Sequence, residues 1–132
     1  MRSGSALPTE SDQSLVINIL FVCSRNQWRS PTAERIWAKV PGLSVRSAGT
    51  SRNAKRRLSA NDISWADLIL VMETKHRDRI RAEFGRVAQY ASIVVLDIPD
   101  DYQFMDPELI EILRGSVQPL LDGLQSHTGR TL

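Results

Sequence analysis

Four short apolar runs, each followed by a stretch with helical spacing, constrain this chain more than any other feature. Residues 15–22 (LVINILFV), 43–48 (LSVRSA), 66–72 (ADLILVM) and 92–96 (SIVVL) are rich in β-branched and aliphatic side chains. The first and third have almost no polar alternation, the pattern of strands buried on both faces in a parallel sheet. Between them, Ala33, Ile36, Trp37 and Val40 fall on one helical face, which Pro41-Gly42 stops. Ser59 and Asp62 have the spacing of a capping box, predicting a short helix over 59–65. A charged helix is predicted over 74–84, with Gly85 as its C-terminal cap. Asp106-Pro107 opens a last helix whose stripe runs through Leu109, Ile112, Leu113, Val117, Leu120, Leu121 and Leu124.

Alternation of this kind predicts an α/β fold: a four-stranded parallel sheet, order 2-1-3-4, with helices on both faces in a flavodoxin-like three-layer arrangement. Ligands of such sheets bind beyond the carboxyl ends of the strands. The loops beginning at Cys23, Ser47, Glu73 and Asp97 are therefore expected along one edge. Residues 1–14 are polar, with no apolar segment of the ~7–15 residues a signal peptide needs, and are expected to be a disordered tail to a domain over 15–132. No window approaches the ~18 apolar residues of a membrane span. The single cysteine can form no internal disulfide and fits a reducing, cytoplasmic setting. His76 and His127 stand too far apart to suggest a metal site and are expected at the surface, and Trp37 and Trp65 in the core.

The cysteine ends the first apolar run, in "CSRNQWRSP", where a strand gives way to a helix. Ser30 is expected as the helix cap and Pro31 at its first position. Backbone N–H groups at such a junction lack intrahelical partners, and the helix dipole adds positive potential. The segment is therefore a nest for an oxyanion such as phosphate. The same field favours the thiolate of Cys23 over its thiol, making it a nucleophile. Arg29 can hold two anion oxygens with its planar fork. The alternative for Cys23 is a small buried hydrophobe. Two basic stretches, Arg52/Lys55/Arg56/Arg57 and Lys75/Arg77/Arg79/Arg81, form either a face for anionic partners or solvated surface. The net charge is only +2.

"VCSRNQWRSPTAE" resembles the active-site signature of the low-molecular-weight protein tyrosine phosphatases. Cys23, Asn26, Arg29, Ser30, Pro31, Ala33 and Glu34 match it. "RSAGT", "ISWADLILVMETKHRDRI" and "IPDDY" resemble the family's second strand, third strand with its helix, and acid loop, so the likeness runs through nearly all of the chain from Leu15. The resemblance implies a metal-independent, cofactor-free phosphatase acting on phosphorylated protein or a small aryl phosphate. It implies Cys23 as nucleophile and Arg29 as phosphate clamp. Ser24, Arg25, Asn26, Gln27, Trp28 and Ser30 would bind phosphate, Ser30 steadying the thiolate. Asp100 would be general acid and base, with Asp101 as the alternative; Asp97 and Asp106 suit capping roles better. Ser47 and Tyr102 are further candidates. The chain departs from the family in four places. Trp28 replaces a second cysteine, Arg25 a glycine, and Asp101 the expected proline, and the segment after Thr50 is short. A phosphoarginine phosphatase and a non-catalytic phosphate-binding module remain as alternatives. Arsenate reduction, which needs further cysteines, is not expected, nor are nucleic-acid or membrane partners.

Overall fold

The computed structural model describes residues 16–127. The expected tail over 1–14, residue 15 of the first apolar run and the side chain of His127 lie outside the described residues. Four strands, β1 (Ile17–Cys23), β2 (Leu43–Gly49), β3 (Leu68–Val71) and β4 (Ile93–Val95), form one parallel sheet in the order β2-β1-β3-β4. They alternate with helices α1 (Arg29–Trp37), α2 (Ala60–Trp65), α3 (Thr74–Glu83) and α4 (Pro107–His127), and a 3-10 turn (Val87–Tyr90) precedes β4. The expected architecture and strand order hold.

Strand parity divides the core. Ile17, Ile19, Phe21 and Cys23 project to one face, with Leu68, Leu70 and Met72, against Ala33 and Trp37 of α1 and Leu109, Leu113, Val117 and Leu121 of α4. Leu20, Val22, Ile69 and Val71 project to the other, against Ile63 of α2 and Ile80 of α3. Each fully buried aliphatic or aromatic side chain contributes about 1.5–3 kcal/mol, so β1, buried on both faces, anchors the sheet. Phe21 stacks on Trp37, with ring centroids 5.7 Å apart, and Trp37 Nε1 donates to Gln118 of α4. Trp37 is in the core as expected. Trp65, expected in the core, is only half-buried at the edge of the second core half, where Arg46 lies 4.0 Å over its ring.

Two helix ends differ from expectation. α1 starts at Arg29, so Ser30 lies inside the first turn and is not its cap. Pro31 is tolerated there because first-turn N–H groups have no intrahelical acceptor. Gly85 does not take the left-handed conformation of a glycine cap; among the described residues Gly42 is the one glycine with positive φ. α3 ends instead on Phe84, whose N–H still reaches Ile80 O. The capping box of Ser59 and Asp62 forms, and Asp106 accepts from Glu108 N at 2.9 Å to start α4.

Candidate active site

The loop between β1 and α1 is turned inside out relative to an ordinary connection. Three of its carbonyls turn to the loop after β2: Cys23 O accepts from Thr50 N, Ser24 O from Ser51 N and Arg25 O from Lys55 N, at 2.8–3.0 Å, while Trp28 O takes the first helical bond of α1, from Thr32 N. The backbone N–H groups of Ser24, Arg25, Asn26, Gln27 and Trp28 donate to no acceptor among the described residues. Trp28, at the N-cap position of α1, offers no side-chain acceptor. A run of unspent donors at a helix N-terminus is a cradle for an oxyanion.

Two features force this backbone. Asn26 takes φ 54, a left-handed conformation that asparagine tolerates better than most residues. Gly49, at the end of β2, backs the loop so closely that a Cβ would lie 2.6 Å from Ser24 O and 2.9 Å from Asn26 N. Arg25 is not in the left-handed region, so replacing a glycine there strains nothing.

Cys23 ends β1 on the α1 face, and its Sγ lies 3.0 Å from Ser30 Oγ. Proton counting gives that contact a direction. Ser47 Oγ has one hydrogen, which goes to Glu34 Oε1 at 2.5 Å, so Ser47 must accept from Asn26 Nδ2 at 2.9 Å. The other Nδ2 hydrogen goes to Ser30 Oγ at 3.0 Å. Ser30 thus accepts from Asn26 and keeps its own hydrogen for the sulfur at 3.0 Å, the carbonyl of Ala48 being farther at 3.4 Å. The network hands the sulfur a donor, as an anionic sulfur requires.

Arg29 is buried, its side chain 1 % exposed. Nη1 donates to Glu73 Oε2 at 2.5 Å and to Ile98 O at 2.7 Å. Of the five guanidinium N–H donors, the Nε and Nη2 edge makes no hydrogen bond among the described residues. A planar edge of this kind can hold two oxygens of an anion. Burial would raise the Glu73 carboxyl, but the bond from Arg29, its charge and that of Lys75 outweigh it and hold Glu73 below its usual range.

The loop after β4 supplies the opposing carboxylate. Asp97 turns the chain at φ 63, and Ile98 is buried and pinned by its N–H to Met72 O and its C=O to Arg29. Two residues on, Asp100 Oδ1 lies 3.5 Å from Arg29 Nε, its side chain 56 % exposed. Asp100 closes a pocket otherwise lined by Cys23, Arg25, Gln27, Trp28 and Arg29. Asp101 is exposed and does not line it. Tyr102 also lies off the pocket, donating from Oη to Glu108. Ser47 bonds Glu34 and Asn26 and does not line this pocket, so it supports the loop.

His76, expected at the surface, is buried at 1 % exposure. It is the third residue of α3, and its Nδ1 accepts from Glu73 N at 3.0 Å. A neutral ring therefore carries its hydrogen on Nε2 and donates to Ser24 Oγ at 2.8 Å. Burial, with the charge of Arg29, lowers its pKa to about 4, so it is neutral at ordinary pH. Glu73 and His76 are the site's unforeseen members, and Glu34, matched in the signature without a role, holds Ser47 behind the loop. The Glu73-x-x-His76 spacing is that of a capping box, which α3 forms. No group of three or more His, Cys, Asp or Glu among the described residues gathers as metal ligands.

No family model matches the chain. It is 31 % identical to a protein-arginine phosphatase of Bacillus subtilis strain 168, over 53 % of this chain and 65 % of that protein. The chain thus spans just under two thirds of that relative's length. It is 29 % identical to a probable low molecular weight protein-tyrosine-phosphatase, EpsP, of Ralstonia nicotianae, covering 67 % and 81 %. The tyrosine phosphatase Wzb of Escherichia coli K30, solved with phosphate, superposes with a TM-score of 0.68 at 21 % identity, over 83 % of this chain and 99 % of that one. The resemblance to the low-molecular-weight protein tyrosine phosphatases therefore stands, in sequence and in fold.

Proposed function

We propose that the protein is a phosphomonoester hydrolase, most simply a protein tyrosine phosphatase, that works through a phosphocysteine. The observation that carries this reading is the cradle of five unspent backbone N–H groups around Cys23, faced by the Nε and Nη2 edge of Arg29. The sulfur attacks phosphorus, and the phosphorus–oxygen bond to the substrate breaks on the opposite side. The cradle and Arg29 hold the three equatorial oxygens as charge builds on them. Asp100, at the pocket mouth, gives its proton to the leaving oxygen. Water then enters where the leaving group departed, and Asp100 takes a proton from it as it attacks phosphorus. The phosphorus–sulfur bond breaks, and the hydrogen from Ser30 steadies the departing thiolate. Inorganic phosphate leaves, and every group has regained its starting state.

Trp28 on the pocket wall suits an aryl ring. Gln27, a polar side chain on the same wall, favours a second reading with the same nucleophile and acid, in which a phosphorus–nitrogen bond breaks and Asp100 protonates the leaving guanidine nitrogen: phosphoarginine, the substrate class suggested by the name of the Bacillus subtilis relative. A reducing cytoplasm suits a nucleophile that must stay a free thiol.

The test compares hydrolysis of a small aryl phosphate, a phosphotyrosine peptide and a phosphoarginine peptide by the native protein and by Cys23→Ser. The reading predicts turnover of at least one and its loss in the variant. Turnover that survives Cys23→Ser refutes the cysteine mechanism; phosphate binding without any turnover leaves a binding module.

A further inference from the structure

Beside the catalytic pocket, on the other side of the β1–α1 loop, lies a second concavity. It is lined by Ser24, Thr50, Ser51, Arg52, Lys75, His76, Asp78 and Arg79. The fold thus joins the two basic stretches of the sequence: Arg52 from the loop after β2, and Lys75 and Arg79 from α3. All three are exposed. With His76 neutral, three cations face one carboxylate.

That positive charge is largely unspent. Arg52 has no carboxylate partner within salt-bridge distance among the described residues. Lys75 reaches only Glu73, at 3.9 Å, and Glu73 is held at 2.5 Å by Arg29. Arg79 shares Glu83 with Arg57. The one lining carboxylate, Asp78, pairs with Arg77. The wall carries a donor as well. Ser24 Oγ accepts from His76, so its own hydrogen is free, and no acceptor for it appears among the described residues.

From this juxtaposition we infer that the groove is a second anion subsite, one residue along the chain from Cys23, which binds an acidic side chain flanking the phosphorylated residue of a protein substrate. The inference rests on the phosphatase reading for its substrate. A whole-chain charge of only +2 does not suit a polyanion such as nucleic acid, whereas a local cluster suits one or two carboxylates.

The test reads binding apart from turnover. Two phosphotyrosine peptides, alike but for glutamates or glutamines beside the phosphotyrosine, are titrated by fluorescence anisotropy into the Cys23→Ser protein. The glutamate peptide should bind about three- to tenfold tighter at ~20 mM salt, the scale of one or two exposed charge pairs, and the advantage should shrink at ~300 mM. Adding Arg52→Glu and Arg79→Glu should abolish it. The same two changes in the native protein should leave hydrolysis of a small aryl phosphate unaltered. Equal affinity for the two peptides, or a preference that survives the charge reversal, overturns the inference. If the native protein hydrolyses no phosphate ester but the peptide preference holds, the catalytic reading falls and the groove stands.

Discussion

Replacing Asn26 separates the two devices that shape the anion cradle. In Asn26→Ala, two buried hydrogen bonds are lost, to Ser30 Oγ at 3.0 Å and Ser47 Oγ at 2.9 Å. At about 0.5–1.5 kcal/mol each, this costs roughly 1–3 kcal/mol. Alanine at φ 54 adds about 1 kcal/mol of backbone strain. Asn26→Gly loses the same bonds without the strain. The expected ordering in urea unfolding is thus native, then glycine, then alanine, with the alanine protein about 2–4 kcal/mol below native and the glycine protein about 1 kcal/mol above alanine. Asn26→Asp discriminates further. A carboxylate can only accept, so it draws the hydrogen of Ser30 away from the sulfur. Its kcat should fall more than its stability, because the thiolate loses its donor. Alanine and glycine variants of equal stability, each within about 0.5 kcal/mol of native, would mean that neither the two hydrogen bonds nor the left-handed backbone of Asn26 holds the loop.

Three further outcomes follow from the geometry. Asp100→Asn should lower kcat by about 10²-fold or more and Asp101→Asn barely at all, which steady-state hydrolysis of a phosphotyrosine peptide checks; the reverse ordering transfers the acid role to Asp101. Glu73→Gln should destabilise the protein at neutral pH. The folded-state carboxyl is depressed below its ordinary 4.5, so its contribution is complete above that value and fades as pH falls through the depressed one; the gap from native in urea midpoint should narrow as pH falls below 4.5. His76 has the opposite charge type but the same slope. Its folded pKa of about 4 lies below the ordinary 6.5, so the unfolded chain binds the extra proton and stability rises between those values. His76→Gln, which keeps a donor for Ser24, should flatten that rise, and an unchanged pH profile would show that the histidine titrates freely.

Much of the architecture was legible because it rests on periodicity. Residues 68–72 must be buried on both faces to be so apolar, and the stripe from Leu109 to Leu124 can only be one side of a helix. The cradle was legible as a local event at a strand–helix junction. What escaped was set by distance along the chain. His76 sits in a charged helix, and only the approach of Ser24, 52 residues earlier, makes it a buried member of the site. Glu73 was hidden likewise, although a carboxylate just past β3 and an arginine just past β1 must meet once those strands are neighbours. Ser47 was foreseen near the site, but not that Glu34 would take its hydrogen and turn it to the back of the loop. Of the two adjacent aspartates, Asp100 faces the pocket because Ile98 is pinned at both ends, a constraint that no local pattern reveals.

If the protein works as proposed, the backbone amides of the β1–α1 loop converge on an oxyanion at Cys23. Amide nitrogen–proton NMR of the labelled protein, titrated with inorganic phosphate, tests it directly. Saturable shifts should concentrate in the amides of Ser24 through Trp28 and in the Arg29 side-chain N–H signals, with little change along β4 or the far end of α4. Loop amides that stay fixed while phosphate shifts only the exposed lysines and arginines would contradict it.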